Sequence, residues 1–497
     1  MLRYLSYFTS KAHADSPNLT KDVHDVIVIG SGLVGMSSAL HLSILPNNKP
    51  ISLLSLDSLP RAASSPASSG NSGLGHTGYD APISSLERRL LRRSIMLHPH
   101  LYRKFGLSFN HVNKSSGSLV CAKENAKELR GVIAENKIAG DEEVVLLNTN
   151  FEVDAHLGDD FSHKKIPAAV YCPREAIVEP WLVAMGYQAM LSSLKNVESV
   201  HGRGGEVVAI TKNEESNLWE VKTKDGETHR GVVVVNAAGL FADKIDAMAM
   251  RRGGNCDTFT VKPRKGQFLV LEPTTPEAAA GAPKVIFEQV PNSKTKGVIV
   301  WTTVWGNVVI GPTADDVDDR YDVSTDADVL SRLEGEGARV LGARSMSEMK
   351  VVGSYSGLRP ATDRRDYIIK AEVDNWITAA SVRSTGLSAS PAIGEYVAEL
   401  YNANFGQSVG SDAKRLFDLL GEGGVDERKL RGITASALSN RALGDESNYQ
   451  YLPNLEPVPT LEELKRDFKA RGDGKVTVWG QAWQVTHPIS IFGMSRK

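Results

Sequence analysis

The chain has 497 residues, 41% of them hydrophobic, and it balances 57 Lys+Arg against 59 Asp+Glu. This length exceeds the size at which one hydrophobic core usually divides, so we expect about two domains. The near-zero net charge excludes an electrostatic attraction to nucleic acid, and no apolar run approaches the roughly 20 residues of a membrane span, although peripheral association with a membrane stays open.

Two features of the sequence bear on the cellular compartment. Arg3 and Lys11 stand among Leu, Tyr and Ser, and the first acidic residue is Asp15, so residues 1–21 have the composition of a targeting leader. This predicts a mitochondrial address, with a disordered leader on a cytoplasmic protein as the alternative. The cysteines form no C-x-x-C pair, which predicts neither a metal site nor a disulfide framework and fits a reducing compartment. They are Cys121, Cys172 and Cys256.

Residues 25–35 read DVIVIGSGLVG and have the pattern of a nucleotide-binding turn. A β-branched run meets three glycines at G-x-G-x-x-G spacing, and a helix-like segment follows. Gly30 makes the tight turn, Gly32 lets the backbone approach a pyrophosphate, and Gly35 lets the helix pack close to the strand. The N–H groups of the first helical turn bind the anion. The stretch predicts a bound dinucleotide.

The next strand is predicted over residues 51–56. In a βαβ unit of this kind, an acidic residue at the end of that strand holds the adenosine ribose. Ser55 occupies the position at which we expect this residue, and Asp57 follows two residues later. Either Asp57 turns in to bind the ribose, or the ribose contact is weaker.

Residues 62–79 form a loop in which twelve of eighteen residues are Gly, Ser or Ala. Such a loop lets the backbone lie close against a flat ligand. A single histidine, His76, stands between Gly75 and Gly78, and its setting favours a functional role over a structural one. Ser84 and Glu87 then predict a capping box for a helix that runs to about His98. Its four arginines are interpreted as a solvated face. They are Arg88, Arg89, Arg92 and Arg93.

The middle of the chain alternates between two kinds of pattern. Residues 107–173 read as short strands around one helix, without a nucleotide signature. A helix over 179–194, strands from Val207 onward and a buried parallel strand over 232–235 then return to the first domain. Residues 261–271 place Arg264, Lys265 and Gly266 just before a strand. That strand and further strands over 297–303 and 308–310 alternate with turns rather than helices, which favours an antiparallel sheet.

The later part of the chain supplies a candidate anion-binding residue. Residues 356–369 read SGLRPATDRRDYII and place Arg359 in a turn with Pro360. Arginine is planar, always charged and able to bind a carboxylate or a phosphate through two parallel hydrogen bonds. Ser390 as N-cap and Pro391 at the first position predict a helix over 392–401. Beyond residue 404 we predict helices over 414–420 and 461–471 and a hairpin over 476–486. No catalytic or ligand-binding residue is predicted in this region.

These motifs together resemble a known family. The fingerprint, NSGLGHTGYD, NAAGLFADKI, PRKGQFLVL, GPTA, GLRPATDRRDYII and RSTGLSASPAIGEYV resemble the FAD-dependent oxidoreductases of the D-amino-acid oxidase fold over residues 24–403. The resemblance is closest to the flavin-dependent glycerol-3-phosphate oxidases and dehydrogenases and the L-2-hydroxyglutarate dehydrogenases. It implies an α/β fold with a Rossmann-like FAD-binding domain (22–106, 175–250 and 373–403), a mainly antiparallel-sheet substrate domain (107–174 and 251–372) and a C-terminal extension (404–497).

The resemblance also implies a site. His76 is the catalytic base, Arg359 and Ser384 hold the substrate's anionic group, and Lys265 lies near the flavin ring. The remaining implied FAD contacts are Gly30, Gly32, Gly35, Asp57, Ser72, Gly73, Val207, Ala238, Gly239, Gly386 and Leu387.

The expected reaction is FAD-dependent oxidation of a small anionic hydroxy substrate by hydride transfer, with glycerol 3-phosphate as substrate and oxygen or a quinone as electron acceptor. The alternatives are L-2-hydroxyglutarate, another 2-hydroxy or amino acid, or a flavin-binding assembly factor without turnover. A dicarboxylate would need a second cation near Arg359, for which Arg383 is the candidate.

Overall fold

The structure is a computed structural model that describes residues 23–45, 53–108, 113–122, 125–157, 166–249, 258–290, 297–341, 346–372, 374–405 and 449–496. The predicted leader, Cys256 and the predicted helix over 414–420 lie outside these described residues. None of the described helices is long and apolar enough to cross a membrane.

The described residues form strands and helices in alternation. The strands are β1 (His24–Ile29), β2 (Leu53–Asp57), β3 (Leu74–Gly75), β4 (Asn113–Ser115), β5 (Ser118–Cys121), β6 (Val145–Leu147), β7 (Ala169–Cys172), β8 (Ala176–Val178), β9 (Val197–His201), β10 (Val207–Lys212), β11 (Trp219–Thr223), β12 (Thr228–Asn236), β13 (Lys262–Pro273), β14 (Ile286–Gln289), β15 (Ile299–Thr302), β16 (Val308–Gly311), β17 (Asp315–Asp316), β18 (Met349–Ala361), β19 (Ile368–Glu372), β20 (Trp376–Ala380), β21 (Lys475–Val478) and β22 (Gln481–Gln484). The α-helices are α1 (Leu33–Ser43), α2 (Pro66–Ser69), α3 (Leu86–Lys104), α4 (Arg130–Ile138), α5 (Asn150–Leu157), α6 (Pro180–Ser193), α7 (Ala242–Met248), α8 (Pro276–Ala280), α9 (Ala327–Leu341), α10 (Gly386–Phe405), α11 (Leu461–Arg471) and α12 (Pro488–Ser495).

The first sheet is built around β1. Its main strand order is β10-β11-β12-β1-β2-β9, with β20 parallel to β12 and β19 antiparallel to β20. β1 runs parallel to both β2 and β12, and four of its six residues are buried, as its apolar β-branched run predicts. The carboxyl ends of β1, β2 and β12 therefore meet at one edge of the sheet.

The second sheet has nine strands, and it is mainly antiparallel as predicted. Its order is β17-β13-β16-β15-β14-β5-β7-β6, β18 pairs with β13, and β14 with β5 is the parallel pair. The strands of the first sheet lie in the segments predicted for the FAD-binding domain, and those of the second sheet lie in the segments predicted for the substrate domain. β19 is an exception, because it lies in a predicted substrate segment but belongs to the first sheet.

A third, small sheet of β3, β8 and β4 joins segments that are 100 residues apart in the chain. In the antiparallel pair of β3 and β8, Gly75 lies opposite Ala176. Because the strands are antiparallel, the residue after Gly75 faces the residue before Ala176. His76 therefore lies opposite Glu175. This register sets the geometry of the histidine described below.

The prediction for the start of α10 is wrong. The helix begins at Gly386, and Pro391 lies inside it. A proline inside a helix leaves a carbonyl without its usual N–H partner, and here that carbonyl, of Leu387, accepts the Ser390 hydroxyl at 3.3 Å. The N–H of Ala392 donates a hydrogen bond to Ser94 Oγ at 3.1 Å. These side-chain bonds let the helix continue through Pro391.

The prediction that Arg359 lies in a turn is also wrong, since it lies within β18. β13 and β18 pair along their length, with Pro263 opposite Pro360. Because the two prolines lie opposite each other, N–H donors are missing from the pairing of these strands at one position only. Both strands extend beyond that position. Arg264 is likewise inside β13 rather than before it.

The interpretation of the four arginines of α3 as a solvated face fails for Arg88, which is only 3% exposed. Its guanidinium donates to the carbonyls of Tyr79 and Ala81, to Asn136 Oδ1 at 2.8 Å and to Asp141 Oδ2 at 2.6 Å. Arg88 therefore holds the end of the loop that carries His76.

Residues 449–496 pack against the rest of the molecule. The N–H groups of Leu455 and Val458 donate to the carbonyls of Lys104 and Gly106, both at 2.9 Å. The predicted helix over 461–471 and the predicted hairpin are confirmed as α11 and β21–β22. α12, which the sequence reasoning missed, follows the hairpin.

Candidate active site

A cavity of about 770 Å³ lies between the first and second sheets. Most of the predicted site residues line it, whereas Gly35, Gly73 and Lys265 do not. The predicted residues in its wall are Gly30, Gly32, Asp57, Ser72, His76, Val207, Ala238, Gly239, Arg359, Ser384, Gly386 and Leu387.

The glycine turn after β1 fits a bound dinucleotide. Gly30 has φ +110°, and a Cβ there would lie 2.4 Å from the carbonyl oxygen of Ala237. A Cβ on Gly35 would lie 1.8 Å from the Gly30 carbonyl, so this glycine serves helix packing rather than ligand contact. Gly32 is the N-cap of α1 and lines the cavity, which turns the positive end of that helix toward it.

Asp57 is the acidic residue at the end of β2. The strand runs one residue further than predicted, so Asp57 reaches the cavity while Ser55 is buried within the strand. The Asp57 carboxylate accepts hydrogen bonds from the N–H and hydroxyl of Ser31 at 2.6 and 2.8 Å and from the N–H of Leu59 at 2.8 Å. These bonds hold the carboxylate beside the glycine turn.

His76 forms a buried pair with a carboxylate that sequence reasoning missed. Its Nδ1 lies 3.0 Å from Glu175 Oε2, and both residues are buried. The other carboxylate oxygen accepts hydrogen bonds from the N–H and hydroxyl of Thr77, each at 2.6 Å. The N–H of His76 donates to Ser388 Oγ at 2.8 Å, which ties the loop to α10.

This arrangement fixes the role of each ring nitrogen. A carboxylate on Nδ1 favours the tautomer in which Nδ1 carries the proton, and that leaves Nε2 as the acceptor. The same carboxylate stabilises the ring when Nε2 gains a second proton. Nothing in the local sequence around Glu175 marks it, because only the pairing of β3 with β8 brings it to His76.

Arg359 lies in the wall of the same cavity. Both of its terminal nitrogens donate to the carbonyl of Thr313, at 3.1 and 3.2 Å. Burial lowers the pKa of its guanidinium to about 10, with a further lowering by the charge of Arg264, so Arg359 is still a cation at neutral pH. A Cβ at Gly266 would lie 2.6 Å from Arg359 Nη2, so the guanidinium depends on the glycine beside it.

The start of α10 also faces the cavity. Ser384 is exposed there, and Gly386 and Leu387 form the first helical positions. Because α10 begins at Gly386 rather than at residue 392, its positive end lies at the cavity wall.

The Lys265 side chain is not brought to the cavity. Arg264 and Gly266 line the cavity, so Lys265 faces the opposite side of β13. There its Nζ donates to Asp322 Oδ2 at 2.9 Å and to Ser324 Oγ at 3.0 Å. The implied contact of this side chain with a flavin ring is therefore absent from the described geometry.

Comparison with known proteins gives consistent matches. A family model described as FAD dependent oxidoreductase matches residues 25–400. A glycerol 3-phosphate dehydrogenase of Caloramator mitchellensis is 30% identical over 76% of this chain and 73% of its own length. A glycerol 3-phosphate oxidase of Mycoplasma genitalium is 24% identical over 76% of this chain and 94% of its own. The solved structure of the L-α-glycerophosphate oxidase of Mycoplasma pneumoniae with FAD bound covers 76% of this chain and 95% of its own, at a TM-score of 0.64 and 22% identity.

Proposed function

The chain belongs to the FAD dependent oxidoreductase family, and we propose that within it the protein oxidises the secondary hydroxyl of a small anionic substrate, glycerol 3-phosphate. The glycine turn, Asp57 and the cavity between the sheets suit FAD, the cofactor of this family. When bound, FAD accepts a hydride from the substrate carbon. The protein's residues have to bind the substrate and take its hydroxyl proton.

His76 is proposed to take that proton. Glu175 occupies Nδ1, so the proton goes to Nε2, and the carboxylate then stabilises the positive ring. Because both partners are buried, the attraction between them is weakly screened.

Arg359 is proposed to hold the anionic end of the substrate, with the hydroxyl of Ser384 beside it. Arg359 has five N–H donors, and a single carbonyl oxygen of Thr313 accepts from it. Donors of a half-buried cation are therefore available to a ligand in the cavity.

One observation carries the proposal: a histidine oriented by a buried carboxylate and a half-buried arginine line the same cavity. A flavin-binding assembly factor without turnover has no need of an oriented base, so this pairing favours an enzyme. The name of the 30% identical relative supports glycerol 3-phosphate over L-2-hydroxyglutarate.

The test is anaerobic reduction of the purified, flavin-containing protein by glycerol 3-phosphate, followed as loss of visible flavin absorbance. In His76→Gln the reduction rate should fall roughly 100-fold to 10,000-fold, the usual contribution of a positioned base.

The control is His229→Gln, which changes a histidine on β12 that does not line the cavity, and it should reduce at the wild-type rate. A folded, flavin-loaded His76→Gln protein with an unchanged rate would remove His76 from the reaction.

The electron acceptor is proposed to be oxygen or a quinone, and the cellular address to be mitochondrial, on the composition of residues 1–21. Oxygen uptake with and without an added short-chain quinone distinguishes the two acceptors. Microscopy of the full chain fused to a fluorescent protein, with and without residues 1–21, tests the address.

A further inference from the structure

We propose that Arg264 is a specificity-determining residue: its guanidinium and that of Arg359 together bind one doubly charged group of the substrate. The inference rests on the proposed function and extends it, because it assigns the substrate to the phosphate monoesters rather than to the hydroxy acids.

The strand register brings the two arginines together. β13 and β18 are antiparallel, and Arg264 lies directly opposite Arg359. Residues in such a position have Cβ atoms about 4.5 to 5.5 Å apart on the same face of the sheet. Both arginines line the cavity, so the guanidinium groups converge on one volume.

Both side chains keep donors for a ligand. Arg264 uses Nε to donate to Asp316 Oδ1 at 2.7 Å, and within the described ranges its two terminal nitrogens have no hydrogen-bond partner. Arg359 has no carboxylate within ion-pair distance among the described residues, and its bonds go to the Thr313 carbonyl. Asp316 therefore orients Arg264 through Nε and leaves the two terminal nitrogens, which can donate two parallel hydrogen bonds to a phosphate.

The charges favour a dianion. At Arg359 the repulsion by Arg264 outweighs the attraction of Asp315, and an anion between the two guanidinium groups removes that repulsion. A phosphate monoester carries two charges on one group above a pH of roughly 6. A carboxylate carries one, and the two carboxylates of a dicarboxylate are separated by the carbon chain.

Two other basic side chains, Lys265 and Arg383, are engaged elsewhere, and Arg365, which also lines the cavity, is exposed. Lys265 is paired with Asp322 on the opposite face of β13. Arg383, the second cation suggested by sequence, donates to the Arg365 carbonyl and lies 3.6 Å from Glu87 Oε2. Arg264 is thus the second cation that the strand register brings to Arg359, from a position almost 100 residues earlier in the chain.

The experiment compares Arg264→Gln with Lys262→Gln, a matched control that removes one positive charge from the same strand outside the cavity wall. Anaerobic reduction gives KM for glycerol 3-phosphate and for L-2-hydroxyglutarate. Calorimetry with inorganic phosphate measures anion binding without turnover. If Arg264→Gln does not fold, Arg264→Met, which keeps the apolar stem, replaces it.

We expect Arg264→Gln to raise KM for glycerol 3-phosphate at least about tenfold, with phosphate affinity falling by a similar factor. Lys262→Gln should change neither by more than about twofold. In wild type KM should also rise below a pH of roughly 6, as the phosphate becomes a monoanion, and Arg264→Gln should flatten this rise.

A rise in KM for glycerol 3-phosphate that is smaller than this overturns the proposal. An equal rise in KM for L-2-hydroxyglutarate in Arg264→Gln overturns it as well. If neither compound reduces the wild type, the proposed function fails, and phosphate binding decides the role of Arg264. Binding that is lost in Arg264→Gln supports the dianion site, and no binding to wild type overturns it.

Discussion

Glu175 and Glu179 are four residues apart, both are fully buried, and they do different things. Glu175 faces Thr77 and His76, and His76 lines the cavity, so the charge of Glu175 acts on a group in the proposed site. Glu179 caps α6 and accepts hydrogen bonds from Trp305 Nε1 at 2.5 Å and from the Ser490 hydroxyl, so it joins α6 to β15–β16 and to α12. The difference teaches that burial alone does not distinguish a carboxylate beside the proposed site from a structural one, and that the partners of the carboxylate do.

The two carboxylates also differ in whether a group that can become a cation lies against them. Glu175 lies against a histidine, whereas the described partners of Glu179 are neutral donors. Burial raises the pKa of Glu179 to about 7, although the hydrogen bonds from Ser490, Trp305 and the Trp181 N–H oppose the shift. Glu179 is therefore a titrating group in the pH range in which enzymes are usually assayed.

Among variants of these two carboxylates and their partners, the largest effect on flavin reduction should come from Glu175→Gln. Gln keeps the shape and an oxygen for Thr77, but it loses the charge that stabilises the protonated imidazole. We expect flavin reduction to slow roughly 10-fold to 100-fold, with flavin content and thermal midpoint close to wild type. Glu175→Asp, which keeps the charge but withdraws it, should recover part of the rate. A wild-type rate in Glu175→Gln would show that Glu175 resembles Glu179 after all.

The second effect concerns stability and its dependence on pH. The pKa of Glu179 is raised from 4.5 to about 7, so the folded state holds a proton that the unfolded state releases. Its stabilising contribution is complete below pH 4.5 and is lost as the pH rises through about 7, a change on the order of 3 kcal/mol.

Glu179→Gln removes this titration and keeps a hydrogen-bonding side chain. The thermal midpoint of the variant, measured relative to that of the wild type, should therefore increase as the pH is raised from 5 to 8. We propose comparing transition midpoints, since a chain of this size need not unfold in one step. The difference between the two proteins cancels the other titrating groups. Parallel midpoints across the pH range would contradict the assignment.

The smallest effect should come from Ser490→Ala, which deprives Glu179 of one donor. A hydrogen bond to a charged or buried partner contributes about 1 to 2 kcal/mol, so the midpoint should fall by a few degrees. Flavin reduction should stay at the wild-type rate, because Ser490 does not line the cavity. Ser495→Ala, at an exposed position of the same helix, is the control. A loss of rate in Ser490→Ala would join the two carboxylates into one functional unit.

The sequence predicted those parts of the molecule that local patterns determine. The strand, glycine turn and helix around Gly30 follow from spacing, and the resemblance indicated His76 and Arg359, which the structure places at one cavity. Glu175 and Arg264 could not be predicted, because each becomes part of the site only through the register of two strands distant in sequence.

Two local rules also failed for identifiable physical reasons. The rule that Ser390-Pro391 starts a helix failed because side-chain hydroxyls form hydrogen bonds with the backbone groups that Pro391 leaves unpaired. The rule that a run of arginines is solvated failed at Arg88, because Asn136 and Asp141 arrive from another segment. In both cases a tertiary partner overrode the local pattern.

The parallel pairing of β1 with β12 has a consequence during synthesis. β1 ends at Ile29 and its partner β12 ends at Asn236, about 200 residues later. At translation rates of roughly 5 to 20 residues per second, β1 leaves the ribosome some 10 to 40 s before the strand that covers its second edge. During that interval an apolar strand has an unpaired edge. The nascent chain should therefore be a substrate for ribosome-associated chaperones until residue 236 has emerged.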